Sequence, residues 1–425
     1  MYYYIFVAKA TAYFLSDTLR SIVMSGKISS AAMKAVFIGS MCSVSYFAVY
    51  IARNILSAVT PALLEGGFFL KDEIGTLSSA YFISYAVGQL INGAIGDKIK
   101  AKYMICFGLF LAGVCNFLFP YILASKFAAT AAYAASGFFL SMIYGPMTKI
   151  IAENTEPHYA TRCSLGYTFA SFFGSPSAGV LAAFLTWQSV FLSSAGILFL
   201  MAAVCFFVFS LFERKGFIKY NQFDRPKSAD KTEGIKILVK HRIIRFSIVS
   251  IITGVIRTTV VFWMPTYYNE YLGYSSDDSA LIFTITTFII SLTAFISVFL
   301  YERLGRNMDK TMLISFIAAT VFFIALFFVK HPIINIGLIV LGVMGSNCAA
   351  TMLWSRYCPS LRDTGMVSGA TGFIDFVSYM AASASSKIFG SAVDSIGWNG
   401  LILIWIGLMF IGVVVMATAK KSTGD

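Results

Sequence analysis

The sequence predicts an all-α membrane protein whose twelve transmembrane helices form two pseudo-symmetric six-helix bundles. Three observations predict this fold class: an apolar composition, twelve apolar stretches long enough to cross a bilayer, and a repeat that relates the two halves of the chain. Together they indicate that lipid, rather than water, surrounds most of the protein.

Composition excludes a water-soluble fold. Of the 425 residues, 58% are hydrophobic and 12% are charged, whereas a typical soluble domain has about 25% charged residues. A soluble protein could not bury this much apolar surface, but a bilayer accommodates it.

Apolar stretches of about 20 residues, the length that crosses the hydrocarbon core, recur along the chain. The predicted spans lie near residues 35–64, 75–95, 103–122, 126–152, 164–186, 188–212, 244–270, 279–300, 311–329, 333–355, 365–391 and 397–418. A cytoplasmic or interfacial segment, 1–33, precedes the first bundle. That bundle, at 34–212, is joined to a second at 243–425 by a polar cytoplasmic loop at 213–242.

Lysine and arginine are concentrated in the loops on one side of the predicted spans. The net charge is +12, but this loop pattern indicates membrane topology rather than nucleic-acid binding. The positive-inside rule places both termini and the central loop in the cytoplasm of a multi-pass protein of the cell (inner) membrane.

Two arginines lie inside otherwise apolar spans. Arg53 stands eight residues before Pro61 in the first span. Arg257 stands eight residues before Pro265 in the seventh, and an offset of 204 residues relates both pairs. Because a guanidinium at a membrane-helix centre costs about 2.5–3.5 kcal/mol, matching charges in both halves indicate an internal repeat with one shared site. For Arg53, the alternative is a side chain that snorkels to the interface.

Tyrosines and an amide share helix faces with this predicted site. Tyr46, Tyr50 and Arg53 follow i, i+4, i+7 spacing on the first span, so they lie on one face. The second span places Tyr85 and Gln89 four residues apart. This spacing predicts a cavity wall, and tyrosine packing between helices is the alternative.

An acidic residue belongs to the same predicted cavity. The 204-residue offset relates Ser171 of the fifth span to Asp375 of the eleventh, which also carries Tyr379. If the repeat holds there, Asp375 faces the arginines, either as a partner that keeps the empty site neutral or as a proton-coupling group. An ion pair that only holds helices together is the third possibility.

The second span ends in a glycine-rich turn that contains Gly93, Asp97 and Lys98. Glycines let helix ends approach closely, and the acid and base can bridge to neighbouring helices. With twelve helices and two related halves, this turn resembles the major facilitator superfamily, which implies that fold for this chain.

Two arginines near the midplane, one from each half, would form an anion site where alternating access occurs. Each guanidinium can donate two parallel hydrogen bonds to a phosphate or carboxylate. A phosphate monoester dianion would balance both charges. Because the empty site would hold like charges in a low dielectric, we expect the carrier to exchange anions rather than return empty.

Within that superfamily the chain is similar to the organophosphate:phosphate antiporter family, which includes glycerol-3-phosphate and hexose-phosphate transporters. The resemblance covers nearly all of 40–415. It rests on Arg53 with Pro61, the Tyr85…Gly93…Asp97 run, Arg257 with WMPTY at 263–267, and Gly397 with Trp398. It implies that Arg53 and Arg257 bind the substrate phosphate.

The chain departs from the glycerol-phosphate members of that family at two positions. Gln89 stands where those members have a lysine, and Ser171 stands where they have a histidine. Asp375 has no counterpart that can be carried over. The organic part of the substrate and the exchange for phosphate therefore stay open.

Three functions are compatible with these residues. The leading one is an antiporter that exchanges a phosphorylated organic anion, of the sugar phosphate or glycerol phosphate class, for inorganic phosphate. The others are a proton-coupled transporter of another organic anion and a transporter-like membrane sensor of phosphorylated sugars. The sequence contains no catalytic constellation, cofactor motif or metal-ligand spacing, so we expect a transporter and not an enzyme. We also expect it to act as a monomer.

Overall fold

The computed structural model of the protein describes residues 30–96, 99–220, 241–361 and 367–418. Most of them fold into long helices, which we number in chain order: α1 (Ser30–Glu65), α2 (Lys71–Gly96), α3 (Ala101–Leu118), α4 (Lys126–Asn154), α5 (Pro157–Phe184), α6 (Trp187–Arg214), α7 (Ile243–Glu270), α8 (Ser276–Arg303), α9 (Met308–Phe328), α10 (Pro332–Tyr357) and α11 (Val367–Ala417).

Several helices begin where a side-chain oxygen accepts a hydrogen bond from an otherwise unpaired backbone N–H. These capping residues are Ser125 for α4, Thr186 for α6, Ser275 for α8 and Asn307 for α9. Such caps stabilise a helix by about 0.5–2 kcal/mol, and they define where these four helices begin.

Ten helices of the described part of the chain are long and apolar enough to cross a membrane. The protein is therefore a multi-pass membrane protein. The remaining helix, α5, has 28 residues and contributes a shorter apolar stretch at Phe173–Phe184. The number of twelve spans stays a prediction.

Helix α11 is kinked near the boundary between the two spans that the sequence predicted at 365–391 and 397–418. Its 51 residues form two helices that are merged across Gly397, whose φ of 67° and ψ of 178° are not helical. Glycine adopts such a conformation at little cost, so the chain bends at this residue.

The helices before and after the central loop meet along two seams. Helix α2 packs against α11, and α5 packs against α8, while α1 and α7 lie in contact between these seams. We call α1–α6 the first group of helices and α7–α11 the second group. The boundary loop lies largely at residues 221–240, outside the described residues, so the predicted division into 34–212 and 243–425 stays a prediction.

Positions related by the repeat meet along α1 and α7. The Asn269 amide donates to the Glu65 carboxylate at 2.6 Å, across 204 residues. The Ser57 hydroxyl donates at 2.6 Å to the carbonyl of Phe262, one residue beyond the position that the repeat relates to it. Of the predicted N-terminal segment 1–33, residues 1–29 lie outside the described range, and the last four belong to α1.

Ion pairs join the two groups at one end of the molecule, which we call the Glu65 end. Lys71 contacts Glu270 at 3.1 Å and Asp394 at 3.0 Å, and Lys387 contacts Asp72 at 2.6 Å. At the opposite end, the ion pairs among described residues stay within one group, as in Lys102–Glu213 and Arg242–Asp309. The Glu65 end of the interface is thus closed by charged contacts between the groups.

Candidate anion-binding site

Arg53 lies where α1 meets α2 and α11, inside a cage of four aromatic rings. Its guanidinium carbon is 5.0 Å from the ring centroid of Tyr379, 5.4 Å from Tyr85, 5.5 Å from Tyr50 and 5.6 Å from Phe82. Its Nη1 also donates a hydrogen bond of 2.8 Å to the Tyr379 hydroxyl. A desolvated cation–π contact is worth about 2 kcal/mol, so the rings help to hold this charge inside the protein. We call Tyr50, Phe82, Tyr85 and Tyr379 the aromatic cage.

The cage continues into a layer of tyrosines because helical spacing brings them onto shared faces. Tyr46 contacts Tyr50 edge-on with centroids 5.0 Å apart, and Tyr81 stacks with Tyr85 at 6.2 Å. Tyr81 also meets Tyr133 of α4 at 4.9 Å. These rings fix the Arg53 surroundings in position from both α1 and α2.

Arg257 lies in a π-helical turn of α7 that spans Ile256–Val260. Such a turn holds an extra residue, and π-turns occur frequently at functional sites. The Arg257 side chain is half-buried. Within the described part of the chain, the ion pairs shorter than 4.0 Å include neither Arg257 nor Arg53.

Asp375 of α11 lies near both arginines. Its carboxylate is close enough to interact electrostatically with Arg257 and, less strongly, with Arg53, and Gln89 is also among its neighbours. Two guanidinium groups and one carboxylate give this space a net charge of +1. The surplus positive charge and the many N–H donors suit an anion with several oxygen acceptors.

The structure brings most of the sequence-predicted site residues together. Tyr46, Tyr50, Arg53, Tyr85 and Tyr379 form one contact network, and Gln89, Arg257 and Asp375 adjoin it.

The structure does not describe the surroundings of the other four predicted residues. Ser171 belongs to α5, but its side chain falls outside the described part of the structure, and Gly93 lies in the last turn of α2. Asp97 and Lys98 lie outside the described residues.

Sequence reasoning missed Phe82 and the π-turn. Phe82 is 6% exposed and stacks with Tyr379 at 6.2 Å, besides facing Arg53. Its position three residues before Tyr85 puts it on the same helix face. The sequence does not distinguish this phenylalanine from the other apolar residues of its span, however. The residues of the π-turn likewise form no pattern that predicts the turn.

The family described as the Major Facilitator Superfamily matches residues 42–386. The glycerol-3-phosphate transporter of Bacillus subtilis is 24% identical over 412 residues, which cover 90% of this chain and 91% of that protein. The phosphoglycerate transporter protein of Salmonella typhimurium is 23% identical over 420 residues, covering 90% and 87%. The membrane sensor protein UhpC of Salmonella typhimurium is 31% identical over 94 residues, which cover 22% of this chain and 21% of that protein.

Solved structures share the fold at low sequence identity. The D-xylose-proton symporter superimposes with a TM-score of 0.71 at 13% identity, covering 93% of this chain and all of that one. An inward-facing, unoccupied bacterial homolog of the human lysosomal transporter Spinster gives 0.71 at 10% identity, covering 90% and 96%. Likeness at this level concerns the arrangement of helices and not the substrate.

Proposed function

The chain belongs to the Major Facilitator Superfamily, and we propose that it exchanges a phosphorylated organic anion for inorganic phosphate across the cell membrane. Its relatives match the organophosphate:phosphate antiporter family. The observation that carries the proposal is that Arg53 of α1 bonds to Tyr379 of α11, and Asp375, one turn earlier on α11, acts electrostatically on both Arg53 and Arg257.

Both arginines bind the phosphate group of the substrate. Arg257 approaches from α7 and Arg53 from α1, and each fork offers paired N–H donors to phosphate oxygens. A dianion outweighs the net charge of +1 in the empty site, so binding converts a region of excess positive charge into one of slight negative charge. Because the charge of the site changes sign, the electrostatic interaction between the two groups of helices differs between the empty and the occupied carrier.

Alternating access places the site between two ends that open in turn. The charged contacts at the Glu65 end support a state in which that end is closed and the opposite end admits substrate. The loop charges orient the Glu65 end outward and both termini toward the cytoplasm. In this topology α5 is a span and α11 counts as two spans divided at Gly397, which gives twelve, and the protein acts as a monomer.

The substrate class is that of sugar phosphates and glycerol phosphate. The relative with 24% identity is a glycerol-3-phosphate transporter, and a second transports phosphoglycerate by its name. Gln89 provides a neutral amide where glycerol-phosphate transporters resembling this chain have a lysine. Compared with those transporters, the site therefore offers the organic part of the substrate fewer charges and more neutral hydrogen-bonding groups.

Phosphate counterflow in proteoliposomes tests this function. Vesicles that contain the purified protein are loaded with unlabelled phosphate, and entry of labelled phosphate is followed for wild type and Arg257→Ala. Removal of one partner of a buried charged contact costs about 2–5 kcal/mol, so exchange should fall about thirtyfold or more.

Arg303→Ala serves as the matched control, because Arg303 is exposed and packs over Phe299 at the end of α8. It should exchange phosphate at the wild-type rate. Folded wild-type protein that exchanges no phosphate would refute the proposed function.

Proton-coupled transport of an organic anion is a second candidate, which the position of Asp375 beside Arg257 favours. A carboxylate between cationic groups can carry a proton during the cycle. Such a carrier would take up anion in response to an imposed proton gradient, and a protonophore would abolish that uptake. Anion uptake that does not respond to an imposed proton gradient, or that is unchanged by the protonophore, would exclude this candidate.

A further inference from the structure

The two arginines of the repeat differ in what they contact. Arg53 donates to the Tyr379 hydroxyl at 2.8 Å and lies among four rings. Arg257 lies in a π-turn and interacts with Asp375 at longer range. The two arginines related by the sequence repeat therefore differ: one N–H donor of Arg53 is occupied by the Tyr379 hydroxyl, whereas Arg257 is available to an incoming anion.

We propose that the Tyr379 hydroxyl is an internal placeholder that occupies Arg53 in the empty carrier and is displaced by an oxygen of the bound phosphate. The inference rests on the proposed function and assigns Tyr379 a role in coupling rather than in direct substrate binding. Tyr379 acts through Arg53, so it is a positioning residue.

The surroundings of Tyr379 hold its hydroxyl in place. The residue is 6% exposed, and its ring stacks with Phe82 at 6.2 Å and contacts Tyr85 at 5.1 Å. A ring fixed on two sides keeps the hydroxyl directed at Arg53. In this buried place an unoccupied guanidinium donor would cost free energy, and the hydroxyl removes that cost while the site is empty.

The same hydrogen bond joins the two groups of helices, because Arg53 belongs to α1 and Tyr379 to α11. Along α11 it lies one turn farther from the Glu65 end than the hydrogen bond between Ser79 and Ser383, at 2.8 Å. In the empty carrier the bond would hold the groups in the state with a closed Glu65 end. Bound phosphate would release it, so reorientation would require an occupied site.

Two measurable consequences follow from a placeholder. Phosphate competes with the Tyr379 hydroxyl for Arg53, so phosphate should bind more tightly when the hydroxyl is absent. An empty carrier that lacks the bond should also reorient more readily, so labelled phosphate should leave vesicles even when the outside buffer contains none. If the Tyr379 hydroxyl instead bound phosphate directly, its removal would weaken phosphate binding.

The test is Tyr379→Phe, which keeps the ring and removes only the hydroxyl. Binding of labelled inorganic phosphate to purified protein should show a dissociation constant about tenfold lower than wild type, the equivalent of one hydrogen bond to a charged group. In proteoliposomes, net efflux into phosphate-free buffer should rise relative to phosphate–phosphate exchange.

The control is Tyr268→Phe, which removes a hydroxyl that contacts Thr286 away from the site, at 3.3 Å. It should leave both quantities unchanged, and thermal unfolding in detergent should show that both variants are folded. A higher or unchanged dissociation constant in Tyr379→Phe, or unchanged net efflux, would overturn the placeholder role. Wild type that binds no phosphate would instead refute the proposed function, so the two failures are distinguishable.

Discussion

Arg53 and Arg257 show how equivalent sequence positions acquire different surroundings. Their spacing to a proline is the same, yet Arg53 is surrounded by aromatic rings and Arg257 lies in a π-turn near a carboxylate. The rings stabilise a cation without neutralising it, so Arg53 keeps its full charge for an anion. Asp375 reduces the field of Arg257 and thereby sets the net charge of the empty site.

Asp375→Asn should tighten phosphate binding, because it removes a negative charge that phosphate faces. With an effective dielectric constant of about 20, a charge a few ångströms away changes binding by more than 1.4 kcal/mol, so the dissociation constant should fall about tenfold or more. Equilibrium binding of labelled phosphate measures this change.

Asp394→Asn provides the matched control on the same helix, since Asp394 pairs with Lys71 at the Glu65 end. Its phosphate affinity should equal that of wild type. Weaker binding by Asp375→Asn would show that Asp375 holds an arginine in its binding position or contacts the substrate itself, which contradicts the electrostatic argument.

At the scale of elements, the α2–α11 seam depends on two facing glycines. A Cβ added at Gly75 would lie 2.8 Å from the Ser386 carbonyl, and one added at Gly390 would lie 2.7 Å from the Lys71 carbonyl. The helix backbones therefore touch at this point. This close approach lets Lys71 and Lys387 reach carboxylates on the opposite helix.

Gly75→Val should prevent this seam from closing. Overpacking costs about 1–3 kcal/mol, which lowers the ratio of closed to open carrier roughly 5- to 150-fold and slows exchange. Closure can be measured by disulfide formation between Ser79→Cys and Ser383→Cys, whose native hydroxyls are 2.8 Å apart. The seven native cysteines are first replaced by serine.

Gly196→Val is the matched control, because Gly196 is exposed and a Cβ there meets nothing within 4 Å. It should form the disulfide as rapidly as the parent protein. Equally rapid cross-linking in Gly75→Val would show that the closed seam tolerates a side chain at this position.

The elements also show which features a sequence can predict. The apolar stretches predicted the helices because membrane helices need continuous apolar surface, whatever their partners. The sequence did not predict that α8 is interrupted at Leu292 or that Arg257 lies in a π-turn. Both depend on how neighbouring helices pack, and ordinary helix-forming residues occupy both places.

At the scale of the whole molecule, the internal repeat predicted that α1 and α7 share a site, since the same offset recurs in their arginines. The contact between Arg53 and Tyr379, 326 residues apart, could not be predicted in the same way. It joins helices that the repeat does not relate, and an apolar residue, Phe82, completes the cage. Periodicity identifies faces within a helix, whereas contacts between helices depend on their packing.

The most direct test of the central claim is efflux of labelled phosphate from proteoliposomes in response to external organophosphate. Vesicles loaded with labelled phosphate are diluted into buffer alone, or into buffer with glycerol 3-phosphate or a hexose 6-phosphate. An antiporter should release little label into buffer alone and should release it rapidly when a transported organophosphate is present. The stimulation should be absent in Arg257→Ala. Rapid release into buffer alone by wild type, or no stimulation by any phosphorylated compound while phosphate exchanges for phosphate, would contradict organophosphate:phosphate antiport.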